Sequence, residues 1–266
     1  NRRFLSLTIP MFASIRYQYQ SRVDYELQVY LIKSLRDLFC LALEFFIENT
    51  AVQMISSVPH VHIPLRDLGF ELLLYLNAPL LIFKSIQISV ESIAIIWILI
   101  CFLHGNPGLA ILQKGVRCLT IVRSLRICLF SLTVLPSPRR RCHFRGPINP
   151  FKARIDGVCN DLLYSGHVTV YTITGISLTL LSRNYSSKST RYLFRICVWF
   201  YVIQRIILTI LQRHHYSIDM FLGFLVTLLV WQCEILYYDL PKVPKHLFLH
   251  LKHLFFSKSH STLKHV

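Results

Sequence analysis

Apolar residues recur along this chain in blocks of about 20, the length that carries a helix across roughly 30 Å of hydrocarbon. The blocks predict six helices, at about 35–58, 80–104, 109–135, 162–182, 192–211 and 217–238. Proline and glycine punctuate them. Pro59 to Pro64 ends the first block, and Pro64-Leu65-Arg66-Asp67-Leu68-Gly69 reads as a loop. His104-Gly105-Asn106-Pro107-Gly108 is a turn, Pro136-Ser137-Pro138 stops the third block, and Ser182 to Thr190 is a short polar connection. The first block is interrupted by Asp37, Glu44 and Glu48. Glu44 and Glu48 are four apart and share a helix face, which is expected to point into the bundle. Arg117, Arg123 and Arg126 lie in the third block, so they either snorkel or face a polar cavity.

Composition agrees with the pattern. The chain has 266 residues, 53% hydrophobic and 16% charged, with a mean hydropathy of +0.47. Globular domains run to about 45–50% apolar and about 25% charged. The expected fold class is all-α, a polytopic membrane protein with six transmembrane helices and cytosolic tails. Its predicted parts are a tail over 1–33, a six-span domain over 34–240 and a basic tail over 241–266. That last tail alternates Lys and His with Leu and Phe, fitting a segment that lies on a membrane surface or one without fixed structure. Residue 1 is Asn rather than Met, so the expectation is that the N-terminus is missing.

The net charge of +16 does not point to nucleic acid, because the basic residues crowd tails and loops beside anionic headgroups. Lys and Arg are commoner on the side that holds both tails, which makes that side cytosolic. The basic segment 136–160 then lies on the opposite face, against the local rule. Either it meets an anionic substrate or the third span is misplaced. The chain contains no C-x-x-C pair, so no zinc site is expected. Cys142 and Cys159 flank the polar segment and are a candidate disulfide.

Two polar clusters open apolar blocks. One is Cys159-Asn160-Asp161-Leu162-Leu163-Tyr164-Ser165-Gly166-His167; the other is His214-His215-Tyr216-Ser217-Ile218-Asp219. On the six-span topology both sit at extracytoplasmic ends, on one membrane face. With His215 and Asp219 on one helical face, the carboxylate fixes the tautomer and frees the other imidazole nitrogen as a nucleophile. His167 then serves as general acid and base. Ser165 and Gly166 offer backbone amides at a helix start, where an anion such as phosphate is favoured.

These residues resemble the lipid phosphatase–phosphotransferase superfamily (type 2 phosphatidic acid phosphatases), and within it the sphingomyelin synthase branch. Its Cys-Gly-Asp-x-x-(Phe/Tyr)-Ser-Gly-His-Thr element is matched from Cys159 to Val168, and its His-Tyr-Thr-Ile-Asp from His215 to Asp219. Arg126, Thr133, Leu135, Pro136, Pro138, His143 and Phe144 follow a third element, and Pro64-Leu65-Arg66-Asp67 resembles a Pro-Leu-Pro-Asp loop. Asn160, Val168 and Ser217 depart from the pattern without touching the reactive groups. The phosphatase motif Lys-x6-Arg-Pro is absent, and position 209 is Thr, which speaks for the synthase branch.

The resemblance implies a two-step transfer of a phospho-headgroup, phosphocholine foremost, from phosphatidylcholine or another glycerophospholipid to ceramide. Diacylglycerol leaves, a phosphohistidine forms on His215, and no cofactor takes part. Inositol- or ethanolamine-phosphoceramide synthesis, transfer to diacylglycerol, and a lipid phosphate phosphatase using water are the alternatives. It also implies a Golgi, endomembrane or plasma-membrane enzyme with its site on the luminal face. Arg126, Arg213 and the 136–160 loop are candidate phosphate partners. Asp161 and Glu91 either face a cationic headgroup or merely cap helices and pair with arginines.

Overall fold

The computed structural model describes residues 2–56, 64–75, 89–133, 135–138, 160–161, 164–185 and 187–233. Seven α-helices appear among them: α1 (Arg2–Ser56), α2 (Leu68–Tyr75), α3 (Val90–Leu103), α4 (Gly105–Leu132), α5 (Gly166–Leu181), α6 (Lys188–Leu211) and α7 (Ser217–Gln232). Every predicted block holds a helix, so the all-α class stands. The candidate disulfide Cys142–Cys159, His143, Phe144, most of the basic loop, residues 80–88 of the second block and the tail 241–266 lie outside the described residues.

Two boundaries differ from expectation. Residues 2–33, read as a tail, run straight into the first block as the single helix α1. Beyond Pro10 the cause is local: no Gly or Pro occurs from Met11 to Val58, and mixed charge does not by itself end a helix. The loop that starts at Pro64 is shorter than predicted. Asp67 Oδ1 accepts the amides of Gly69 at 3.1 Å and Phe70 at 3.3 Å, an N-cap that starts α2 one residue later.

Helix α5 is the axis of the fold, packing against α3, α4, α6 and α7, while α1 lies along α4. Its buried side chains are small or hydroxylic in many places, with Thr169, Thr172, Thr174, Gly175 and Ser177 enclosed. Small residues of this kind let helix backbones approach closely. Around it Trp97, Cys101, Cys118, Ile173 and Trp231 form the main apolar core.

Polar burial is concentrated inside the bundle. Asp37, Glu44, Glu48, Lys114, Arg126, Gln204 and Arg205 are buried, whereas Leu35, Phe39, Ile98, Phe200, Phe221 and Leu229 are exposed. The acidic face of α1 pairs with the arginines of α4. Arg117 Nε lies 2.7 Å from Asp37, Arg123 lies 3.1 Å from Glu44, and Glu48 bridges Arg123 and Arg126. The inward orientation predicted for Glu44 and Glu48 is the one observed. By length and composition α6 can cross a bilayer, and α3 and α7 are shorter apolar helices.

Candidate active site

The two polar clusters meet where α5 and α7 begin. The Ser165 amide donates to the Asp219 carbonyl at 3.2 Å. A Cβ on Gly223 would meet the Ser165 carbonyl oxygen at 3.0 Å, so α7 approaches this loop as closely as a glycine allows. The rings of His167 and His215 consequently stand 6.1 Å apart, centroid to centroid, tilted by 59°. His167 is exposed and His215 half-buried, so neither ring is sealed inside the bundle.

Two details of the sequence reading change. The Ser165 amide is spent on Asp219, leaving Gly166 and the first turn of α5 as the amides available to an anion. His215 is not on a helix face, because Tyr216 is an extended N-cap (φ −71°, ψ 156°) and α7 starts at Ser217. Asp219 comes close to the His215–Tyr216 peptide by another route. It is fully buried, and its Oδ2 accepts the Tyr216 amide at 3.0 Å, as a carboxylate at the third helical position does.

The segment before His215 is shaped by the end of α6. The Arg213 amide bonds the Ile210 carbonyl at 2.9 Å and the His214 amide bonds that of Thr209 at 3.1 Å. This pair of bonds closes a helix with a left-handed residue, ordinarily Gly. Here it is Arg213, at φ 53°. Its guanidinium lies 3.8 Å over the Phe70 ring, which compensates part of the backbone strain.

Arg213 and His215 line a cleft of about 400 Å³ together with Arg66, Asp67, Glu71 and Tyr216. Arg66 pairs with Glu71 at 3.1 Å on the rim. Tyr216 fastens the wall: its hydroxyl accepts the Leu65 amide and donates to the Pro136 carbonyl, each at 3.0 Å. Asp67 adds a second fastening by accepting the Ser217 amide at 2.9 Å and the Ser217 hydroxyl. Leu135 and Pro136 form a two-residue strand antiparallel to Asn160 and Asp161, so the ends of the polar segment close beside the cleft. Asp161 contributes its backbone to this strand pair, opposite Leu135.

The remaining candidates sit around the histidines. Arg126 lies beneath them, its Nε donating to the Tyr164 carbonyl at 2.6 Å and its Nη1 paired with Glu48. A Cβ on Gly166 would stand 3.0 Å from Arg126 Nη1. Arg126 thus holds the Tyr-Ser-Gly-His turn from inside. Glu91 is exposed in the first turn of α3 and interacts electrostatically with His167. Tyr216 and Asp67 as fasteners went unrecognised, although an Asp just ahead of an apolar run is a helix-start signal.

The comparisons with known proteins fall on this region. Residues 158–236, which hold both clusters, match the PAP2 superfamily C-terminal family. That similarity covers 79 of the 266 residues, less than half of the chain. Over 184 residues the chain is 27% identical to phosphatidylinositol:ceramide inositolphosphotransferase 3 of Arabidopsis thaliana, covering 61% of each protein. Over 76 residues it is 33% identical to Protein PHLOEM UNLOADING MODULATOR of the same organism, 29% of this chain and 16% of that protein. The chain therefore spans less than two thirds of the length of either relative. No solved structure matches. The resemblance to the sphingolipid-synthase branch of the PAP2 superfamily is thus borne out.

Proposed function

We propose that this chain is a membrane-embedded phosphotransferase that moves a phospho-headgroup from a glycerophospholipid to ceramide. The observation that carries the reading is the 6.1 Å separation of His167 and His215, two residues from distant segments brought side by side. Both can reach one phosphoryl group from that spacing. In the first step His215 attacks phosphorus and the bond to diacylglycerol breaks, with His167 giving its proton to the leaving oxygen. In the second, His167 takes the proton of ceramide's primary hydroxyl, whose oxygen displaces His215. Asp219, buried beside the His215–Tyr216 peptide, orients the nucleophile. The amides of the first turn of α5 stabilise the charge that develops on phosphorus-bound oxygen.

The membrane setting is supported by polar side chains facing inward and apolar ones outward, the distribution a hydrocarbon solvent demands. Six crossings, cytosolic tails and a cleft on the luminal face of the Golgi, another endomembrane or the plasma membrane complete the reading. A glycosylation acceptor placed between Arg145 and Lys152 is expected to be modified.

The cleft favours phosphoinositol as the headgroup. Arg66, Asp67, Glu71 and Arg213 offer donors and acceptors suited to a polyol, and Arg213 lies over one face of the Phe70 ring. A trimethylammonium group prefers open aromatic faces. Similarity to a protein named an inositolphosphotransferase points the same way. Phosphocholine is the second reading, favoured by the exposed Glu91 near His167. The test is a membrane preparation given fluorescent ceramide with inositol, choline or ethanolamine phospholipids in turn. Inositol phosphoceramide is the expected product. Free phosphate from phosphatidate with no phosphosphingolipid would assign a phosphatase instead.

A further inference from the structure

Below the catalytic cleft, α3, α5 and α6 line a second, half-open and almost wholly apolar cavity of about 280 Å³. It is walled by Ile96 of α3, Tyr171, Thr174 and Leu178 of α5, and Cys197 and Tyr201 of α6. Tyr171 follows His167 by one helical turn and Thr174 by two, so the cavity continues the His167 face of α5.

Several polar atoms in and beside this cavity lack partners, those of Arg205 lying beside the lining rather than in it. Arg205 is only 7% exposed, and its Nη2 donates to the Tyr171 hydroxyl at 3.3 Å. Its Nε and Nη1 are buried without a hydrogen-bond partner, as are the hydroxyls of Tyr201 and Thr174. No carboxylate among the described residues pairs with Arg205, unlike Arg117, Arg123 and Arg126. A guanidinium enclosed in this way is costly until an acceptor reaches it.

We propose that the cavity and Arg205 form the seat of the ceramide acceptor, an inference that rests on the function proposed above. One hydrocarbon chain of the lipid fills the cavity, and Arg205 donates to the amide carbonyl. Depth supports this match. Tyr171 lies about 6 Å below His167 along α5. The amide oxygen of ceramide is five bonds from its reacting hydroxyl oxygen, about 5–6 Å at ordinary bond lengths. A phosphate would sit too deep there, since it must lie between the histidines. Ceramide also carries an amide N–H and a secondary hydroxyl for the Tyr201 and Thr174 hydroxyls to accept. Diacylglycerol offers only ester carbonyls, which are weaker acceptors.

Cys197 supplies a direct readout, because its free thiol lines the cavity wall. The full chain carrying His215→Ala, so that no headgroup moves, is reconstituted in phosphatidylcholine vesicles. Alkylation by a membrane-permeant maleimide is followed peptide by peptide, with exposed Cys128 on α4 as reference. Ceramide in the vesicles is expected to slow Cys197 labelling about tenfold and leave Cys128 unchanged. Diacylglycerol is expected to protect several-fold less. Arg205→Gln should remove most of the protection, on the scale of one charge-assisted hydrogen bond. Thr174→Val, which keeps the volume, should remove part of it and serves if the arginine variant does not fold. Unprotected Cys197, equal protection by diacylglycerol, or full protection in both variants would overturn the seat. The readout needs no turnover, so loss of this inference and loss of the transferase reading remain distinguishable.

Discussion

Arg126 donates its Nε to the carbonyl of Tyr164 at 2.6 Å, reaching from near the C-terminal end of α4 to the turn that carries His167. The arginine is itself held by Glu48 of α1. An ion pair between two long helices therefore holds the turn that begins a third, on which His167 sits. Removing one partner leaves an enclosed charge uncompensated, which costs about 3–5 kcal/mol. Glu48→Gln is expected to lower the melting temperature in detergent. The double variant Glu48→Gln/Arg126→Met should recover stability without recovering transfer.

At Arg213 stability and activity should part. Its left-handed conformation costs an L side chain about 1–2 kcal/mol and costs glycine almost nothing. Arg213→Gly is therefore expected to melt no lower than the parent, the lost stacking on Phe70 offsetting part of the gain. The same variant loses a cation from the wall of the headgroup cleft, and its KM for phospholipid should rise. A melting curve and a donor titration on one preparation decide the point.

Tyr216→Phe removes one hydroxyl and two hydrogen bonds, to Leu65 and to Pro136. At about 0.5–1.5 kcal/mol each, the expected destabilisation is roughly 1–3 kcal/mol. Because the bonds join three separate segments, the local effect should exceed the global one. Amide exchange at Leu65 is expected to accelerate well before the bundle as a whole opens.

How far the sequence carried these conclusions depends on range. Glu44 and Glu48 were legible as inward-facing from their spacing of four within an apolar block, since helix period alone decides it. Their partners were not, because pairing Glu48 with Arg126 requires the register between α1 and α4. His167, His215 and Asp219 stood out as polar groups at the mouths of apolar blocks. Their mutual geometry did not: the helical face assigned to His215 dissolves because Tyr216 caps α7. Arg205 was unreadable, being one more arginine in an apolar run until it is seen to lack a carboxylate partner among the described residues.

His167→Ala should cut transfer about 10²–10⁴-fold, the range of general acid–base catalysis, with little change in the fold, since the side chain is exposed. Slow residual attack by His215 on phospholipid is expected to survive in that variant.

The most direct measurement looks for the covalent intermediate. The full chain is given phosphatidylinositol labelled in its phosphate, without ceramide, and quenched in base, where phosphohistidine persists. Peptide mass spectrometry is expected to find one acid-labile phospho-headgroup adduct on His215, which disappears when ceramide is added. The same headgroup should then appear on the ceramide. Transfer that proceeds with no adduct, or an adduct on His167 with His215 unmodified, would contradict the account.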